Sequence, residues 1–315
     1  MALPATLRAL RGAGGRVIAA FAIVYVVWGS TYFFIRLAIE TMPPLLMVGV
    51  RYVLAGAALL AVTWRRGASR DPVRAPQWRA SAITGVLLLV GGNGGVAYAE
   101  QFVPSGIAAL LVATVPLFIA VLGALFLGRR LGPAAVAGVV VGLAGTAVLV
   151  RPGGGGDVGH MLLLLMSPLL WAVGSLYATR APLPRRPLVA TSLEMLCGGT
   201  AMLVIALAVG EGAQVHPSRV SLVSLLALLY LIVFGSLVAF SAYVWLLARV
   251  PTQAVATYAY VNPLVAVLLG WAFLSEPVTP QTLLAGLLIV VAVVLILSSP
   301  QRTGRRETAR VRSAA

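Results

Sequence analysis

Two ionisable residues interrupt long apolar runs: Arg51 lies seven residues into one and Glu194 six residues into another. A charged side chain surrounded by hydrocarbon is costly and persists where it faces a cavity, a partner or a substrate. For Arg51 the expected chemistry is pairing with a carboxylate, and Glu100, at the end of a neighbouring apolar run, is the best-placed partner. A structural ion pair or a side chain snorkelling to the interface accounts for Arg51 equally well. Glu194 has no obvious partner in the sequence, which points to substrate or proton binding and makes it the first candidate for a proton carrier. Sparse hydroxyl, amide and aromatic groups join them: Trp28, Thr31, Asn93, Trp171, Tyr243, Tyr260 and Asn262. An apolar cavity with a few such groups is the usual lining of a small-molecule site, so these seven, with Arg51 and Glu194, are the expected substrate-binding residues. An aromatic belt at the membrane interface explains Tyr32 and Tyr177 better than it explains Asn262.

Catalysis has little to work with. The chain has two histidines, His160 and His216, and one cysteine, Cys197, inside an apolar run. That leaves no nucleophile with its base, no metal cluster and no disulfide framework. No Walker-type Gly-Lys motif exists, so ATP hydrolysis by this chain is excluded and no cofactor is expected.

The elements that position these residues follow from composition. Of 315 residues 60% are apolar and only 10% charged, with a mean hydropathy of +1.00, which is a membrane composition. Crossing a hydrocarbon core of roughly 30 Å takes about 20 apolar residues in a helix. Ten such runs occur, at 17–38, 44–63, 80–100, 105–127, 134–150, 159–179, 188–209, 222–247, 252–274 and 281–297. They predict an all-α membrane protein with no room for a soluble domain.

The net charge of +15 comes from arginine alone among the basic residues. Apart from Arg36, Arg51, Arg151 and Arg219, every arginine falls in a tail or an alternate loop on one side of the ten runs. The positive-inside rule then places both termini in the cytoplasm, with anionic lipid head groups rather than nucleic acid as the partner of the basic excess. The first run continues through Trp28 and Tyr32 without a small-residue cleavage site and reads as an uncleaved span. Arginine without lysine, beside heavy Ala, Gly and Val usage, looks like a GC-rich bacterial genome, and the expected location is the bacterial inner membrane.

The chain also repeats itself. Trp28 returns as Trp171 and Gly56 as Gly199, each 143 residues on, and the tract from Pro116 to Pro133 returns from Pro263 to Pro280, 147 residues on. The charges reverse: Arg129 is matched by Glu276, and Arg51 by Glu194. Five spans per half is an odd number, so the second copy enters the membrane from the opposite face. Arg129 and Glu276 then lie on opposite sides, which accounts for that reversal. Arg51 and Glu194 both lie within spans, roughly 10 Å apart in depth at 1.5 Å rise per residue, too far for a direct pair. The expected organisation is a tail (1–16), a first repeat (17–150), an external Gly-rich linker (151–158), a second repeat (159–298) and a basic tail (299–315).

Gly91, Gly92, Gly94 and Gly95 surround Asn93, and Pro116 and Pro263 sit at matching places; these are the expected hinges, with close packing as the alternative for the glycines. Gly138, Gly142 and Gly145 line one face of the fifth run, a packing surface or a dimer contact, which leaves monomer and homodimer both open.

Several tracts resemble a known family. They are Trp28-Gly29-Ser30-Thr31-Tyr32-Phe33, Pro43-Pro44 with Arg51, Val103-Pro104-Ser105-Gly106-Ile107-Ala108-Ala109-Leu110, Thr114-Val115-Pro116-Leu117 and Tyr258-Ala259-Tyr260-Val261-Asn262-Pro263-Leu264. In this order they resemble the EamA-type permeases of the drug/metabolite transporter superfamily, over about 17–297. The resemblance implies ten helices in two inverted repeats around a central cavity, and export of amino acids or similar small metabolites or drug-like compounds. One departure is that such repeats often carry a glutamate after the fourth span, present here as Glu276 but replaced by Arg129 in the first half. The expected activity is secondary transport by alternating access, driven by proton motive force or exchange. A channel or structural membrane protein, and more remotely an intramembrane enzyme, are the alternatives.

Overall fold

The computed structural model describes residues 14–65, 72–151 and 156–298. The expected tails, beyond residues 14–16, and residues 152–155 of the expected linker lie outside the described residues. Within those described there is no strand, and ten helical segments follow one another. They are α1 (Gly15–Ile39), α2 (Pro44–Arg65), α3 (Ala75–Ala99), α4 (Ser105–Leu127), α5 (Pro133–Val150), α6 (Val158–Ala178), α7 (Pro187–Ala208), α8 (Leu222–Leu247), α9 (Tyr258–Leu274, after a short turn at Thr252–Val255) and α10 (Pro280–Ser298). Among the described residues nine are long and apolar enough to cross a membrane, and α9 is a shorter apolar helix. The ninth run was expected to be unbroken from 252 to 274; the chain instead leaves the helix at Ala256–Thr257.

The ends of α4 and α9 are built alike. Gly128 (φ 62°) and Ser275 (φ 54°) both take the left-handed conformation. The next amide turns back in each case, Arg129 N donating to Gly123 O and Glu276 N to Gly270 O, both at 3.1 Å. This is the closing pattern that satisfies the last carbonyls of a helix, and Ser275 adopts it without glycine's freedom.

Where a carbonyl or amide would be lost, the helices yield. Pro116 opens the second segment of α4 after a break at Ala113–Thr114, so the helix is interrupted where a hinge was expected. Pro263 does not: it lies within a continuous helix, and the interruption falls about a turn and a half earlier. The glycine run of α3 is wound as a π-helix over Val86–Gly94, and α8 is wound the same way over Leu231–Val238.

Lipid tails are as apolar as the helices, so close approach by small residues drives association. α2 and α7, the second helices of the two halves, meet through Gly56 and Gly199. A Cβ on Gly56 would lie 2.9 Å from Leu196 N, and one on Gly199 would lie 2.8 Å from Val53 N. The contact is reciprocal, because Val53 and Leu196 are themselves equivalent. α5 and α10 form the matching outer pair. A Cβ on Gly138 would meet Ala292 O at 2.8 Å, and one on Gly145 would meet Leu288 Cβ at 2.9 Å. The glycine face expected to pack or to dimerise is therefore covered by α10 of the same chain and is not free for a second copy.

One face of the bundle carries the turns at 40–43, 100–104, 209–221 and 275–279; we call it the Glu276 face. There the two halves are laced together. Glu276 accepts hydrogen bonds from Ser105 N (2.7 Å), Ser105 Oγ (3.0 Å) and Gly106 N (3.1 Å), capping α4. Glu211 accepts from Leu45 N (3.2 Å) and Leu46 N (2.8 Å), capping α2. Ser221 N donates to Thr41 Oγ1 (3.1 Å), Ser224 Oγ to Leu37 O (2.7 Å) and Gln281 Nε2 to Val148 O (2.7 Å). The helix N-termini present unpaired amides and a partial positive charge, so carboxylates from the other half are suited to hold them.

Candidate functional site

Between the halves, each π-wound segment receives a tryptophan from the opposite repeat, and the one in α8 also receives an arginine. At α8, the Trp28 indole Nε1 donates to Gly235 O at 3.1 Å, and Arg51 Nε donates to Ser236 Oγ at 3.0 Å. The methyl of Thr31 and Arg51 Nη2 both lie against Gly235, where a Cβ would sit 3.3 and 3.2 Å from them. Arg51 is 3% exposed, its Cζ lies 4.8 Å from the Tyr52 ring centroid, and its Nη1 has no hydrogen-bond partner.

The second half-site repeats these positions 143 residues away. Trp171 replaces Trp28, Glu194 replaces Arg51, and Gly92 and Asn93 of α3 replace Gly235 and Ser236. The Trp171 ring covers Gly92, at 2.6 Å from where a Cβ would stand. The polar pairing is not repeated. Asn93 Nδ2 turns to Leu88 O at 3.4 Å, and the half-buried Glu194 carboxylate has no hydrogen bond or ion pair among the described residues. A guanidinium with one free nitrogen and an unengaged carboxylate thus occupy equivalent positions on α2 and α7, and the Glu194 main-chain carbonyl packs against Gly85, just before the π-wound part of α3.

The remaining candidates divide. Tyr243 joins an aromatic cluster with Trp28, ring centroids 5.1 Å apart, to which Phe240 (5.2 Å) and Tyr258 (5.0 Å) also belong. Asn262 is a clamp, buried, with Nδ2 oriented to donate to Tyr258 O (3.2 Å) and Tyr25 O (3.1 Å), so it ties α9 to α1. Tyr25 OH also bonds Thr257 Oγ1. Tyr260 is partly buried against the main core.

The expected ion pair of Arg51 with Glu100 is not formed. Arg51 lies about two turns inside its helix and spends its Nε on Ser236, whereas Glu100 caps the very end of α3, so the two sit at different depths. Glu100 is 0% exposed, and neither carboxylate oxygen has a hydrogen-bond partner. Arg36 of α1 reaches this end, but its Nη1 donates to the Glu100 main-chain carbonyl.

Gly235, Ser236, Tyr52 and Phe240 were missed by sequence reasoning. The 143-residue spacing of Gly92 with Gly235 and of Asn93 with Ser236 carried the signal. A separate apolar groove of about 570 Å³ lies to the side, between α4, α9 and α10, walled by residues such as Leu110, Leu264, Trp271 and Leu287. None of the candidate residues lines it.

Comparison with known proteins accords with this architecture. The profile of the EamA-like transporter family matches residues 15–151 and 159–298, one match per half. The inner membrane transporter YedA of Escherichia coli K12 is 43% identical over 276 residues, covering 87% of this chain and 88% of its own. A protein of Streptantibioticus cattleyicolor described as a "Probable terminal-alkyne amino-acid exporter" is 28% identical over 305 residues, covering 93% and 97%. A crystal structure described only as that of a protein aligns with a TM-score of 0.61 at 22% identity, covering 90% of this chain and 97% of that one, a likeness of fold alone.

Proposed function

Because this chain belongs to the EamA-like transporter family, it is a multi-pass bacterial inner-membrane transporter and not an enzyme, and we propose that it works as a secondary carrier by alternating access. The observation that carries this reading is the Trp28 and Arg51 half-site at Gly235-Ser236, matched by Trp171 on Gly92, with Glu194 at the position on α7 equivalent to Arg51. Each half-site is built from helices of both repeats, so relative rocking of the repeats changes both at once. π-wound segments frequently mark functional positions, since the widened turn breaks the regular hydrogen-bond ladder.

The substrate this arrangement suits is a small polar metabolite with an anionic group for the free Arg51 Nη1, an apolar body for the aromatic cluster around Trp28, and a cationic or protonated group for Glu194. Amino acids and their analogues have this chemistry, and one relative is described as an amino-acid exporter. The arginine-rich face is cytoplasmic in this reading, with both termini there, and anionic lipid head groups contact its arginines. The hydrogen bonds of Glu276 and Glu211 make the opposite face the closed one, so the site opens toward the cytoplasm first, as export requires. Proton motive force or exchange supplies the energy.

The test is to compare metabolites in the medium of overexpressing and deletion strains, then to measure counterflow of the labelled candidates in proteoliposomes. Saturable counterflow that Arg51→Gln and Glu194→Gln both weaken is the expected result. Flux linear in concentration, or indifferent to both substitutions, would sink the proposal.

A further inference from the structure

Glu100 has no place in the half-sites, yet it is the most completely buried acid among the described residues, with both carboxylate oxygens unpartnered. It stands at the C-terminal end of α3, where helix carbonyls present negative partial charge. The charged and titratable groups around it come from every packed element. α1 supplies Tyr32 and Arg36 and the α9–α10 turn supplies Glu276, while Tyr52 of α2 lies beside Tyr32 and the start of α6, which packs against this end of α3, carries Asp157 and His160. Arg36, the near cation, aims Nη1 at the main chain of Glu100. Glu276, the near anion, is committed to three donors at the start of α4. An ionised Glu100 would therefore sit beside a like charge with no donor of its own, whereas the neutral acid meets no such repulsion and costs far less to bury unpaired.

We infer that Glu100 is a proton-binding group that governs the latch between the repeats on the Glu276 face. Carrying a proton, it leaves Glu276 free to hold Ser105 and Gly106. When its proton passes to water on that face, two carboxylates repel, the cap on α4 weakens, and the second repeat releases the first. The inference rests on the alternating-access reading for its role in transport, but the proton site itself does not. It also moves the coupling proton from Glu194, which stays with the substrate, to Glu100.

The test uses the full chain in lipid nanodiscs, labelled with carbon-13 glutamate, and follows the carbonyl stretch of protonated carboxylic acid by infrared spectroscopy across a pH titration. The band is expected in the unsubstituted protein at neutral pH, to be lost in Glu100→Gln and to survive in Glu194→Gln. Its absence from the unsubstituted protein, or its persistence in Glu100→Gln, overturns the assignment. Should Glu100→Gln not fold, Arg36→Gln retains the acid and removes the cation that favours its ionised form, so the titration is expected to move to higher pH; an unmoved titration is equally fatal. The latch is read by hydrogen exchange at the Ser105 and Gly106 amides, corrected for the intrinsic rate. Exchange is expected to speed up as pH rises, and this dependence to vanish in Glu100→Gln; identical profiles in the two proteins overturn the latch. None of these measurements needs a substrate or a flux, so their outcome is independent of whether transport is found.

Discussion

Arg51 and Glu194 occupy equivalent positions on α2 and α7, 143 residues apart, and only Arg51 finds a hydrogen-bonded partner, Ser236 of α8 at 3.0 Å. The half-sites share a tryptophan and a π-wound glycine, so the scaffold around the two charges is common and the charges themselves are the difference. A duplicated site with opposite signs can hold the two ends of a dipolar molecule or two ions of opposite charge, neither of which a pair of identically charged sites suits.

Both charges should therefore act on substrate handling more than on folding. A charge-assisted hydrogen bond contributes about 2 kcal/mol, so Arg51→Gln is expected to raise the KM of counterflow roughly 30-fold. Its amide can still donate to Ser236, so thermal stability should change little. Arg51→Lys should rescue only in part, because an ammonium lacks the planar fork that serves Ser236 and a ligand together.

Glu276 carries a load that its counterpart Arg129 does not. Removing the cap of α4 in Glu276→Ala should cost about 1–2 kcal/mol, seen as a lower melting temperature in detergent. Arg129→Ala, whose side chain makes no hydrogen bond among the described residues, should stay within about 0.5 kcal/mol of the unsubstituted protein.

Ser275 adopts a left-handed conformation that Gly128 adopts at the matching turn. Relief of the Cβ clash predicts that Ser275→Gly stabilises by roughly 0.5–1 kcal/mol and that Gly128→Ser destabilises by a similar amount. Thermal unfolding of the two single variants checks the opposite signs.

Gly56→Ala and Gly199→Ala each force a methyl against main-chain nitrogen, at 2.9 and 2.8 Å before relaxation. Overpacking of this kind costs about 1–3 kcal/mol. Because the contacts are reciprocal, one methyl already separates α2 from α7, and the double variant should cost less than the sum of the singles in a thermal double-mutant cycle.

Asp157 caps α6, accepting from His160 N at 2.8 Å and facing the ring Nδ1 at 2.5 Å. The His160 main-chain N–H, then the ring, holds its carboxyl below the ordinary aspartate range. A folded value below the unfolded one means that the cap is at full strength above the unfolded value, about 4, and is lost as pH falls through the lower folded value. Exchange of the first-turn amides of α6 should quicken over that window, and Asp157→Asn should flatten the dependence.

Parts of this were legible and parts were not, for identifiable reasons. The exchange of Arg129 for Glu276 could be read as a change of side, but not that Glu276 grips Ser105 and Gly106, because those residues lie 171 and 170 positions away. Glu100 was matched to Arg51 on approximate depth; the direction of the guanidinium, toward Ser236, depends on how α2 is rotated against α8. The glycine face of α5 was recognised as a contact surface, yet its partner could have been a second molecule as easily as α10. Pro116 coincides with a break in its helix, while near Pro263 the break falls earlier, at Ala256–Thr257.

By itself the sequence determined the number of apolar runs, the duplication and the inversion, because hydrophobic thickness sets the length of a span and an odd number of spans turns the second copy over. It also named the charges that the membrane would penalise. Only the tertiary structure decided which of those charges has a partner. In an apolar bundle, helix rotation and packing are set by where small residues let backbones approach, and a shift of one residue around a helix turns a side chain through about 100°. That is the difference between Arg51 held at Ser236 and Glu194 left unpaired.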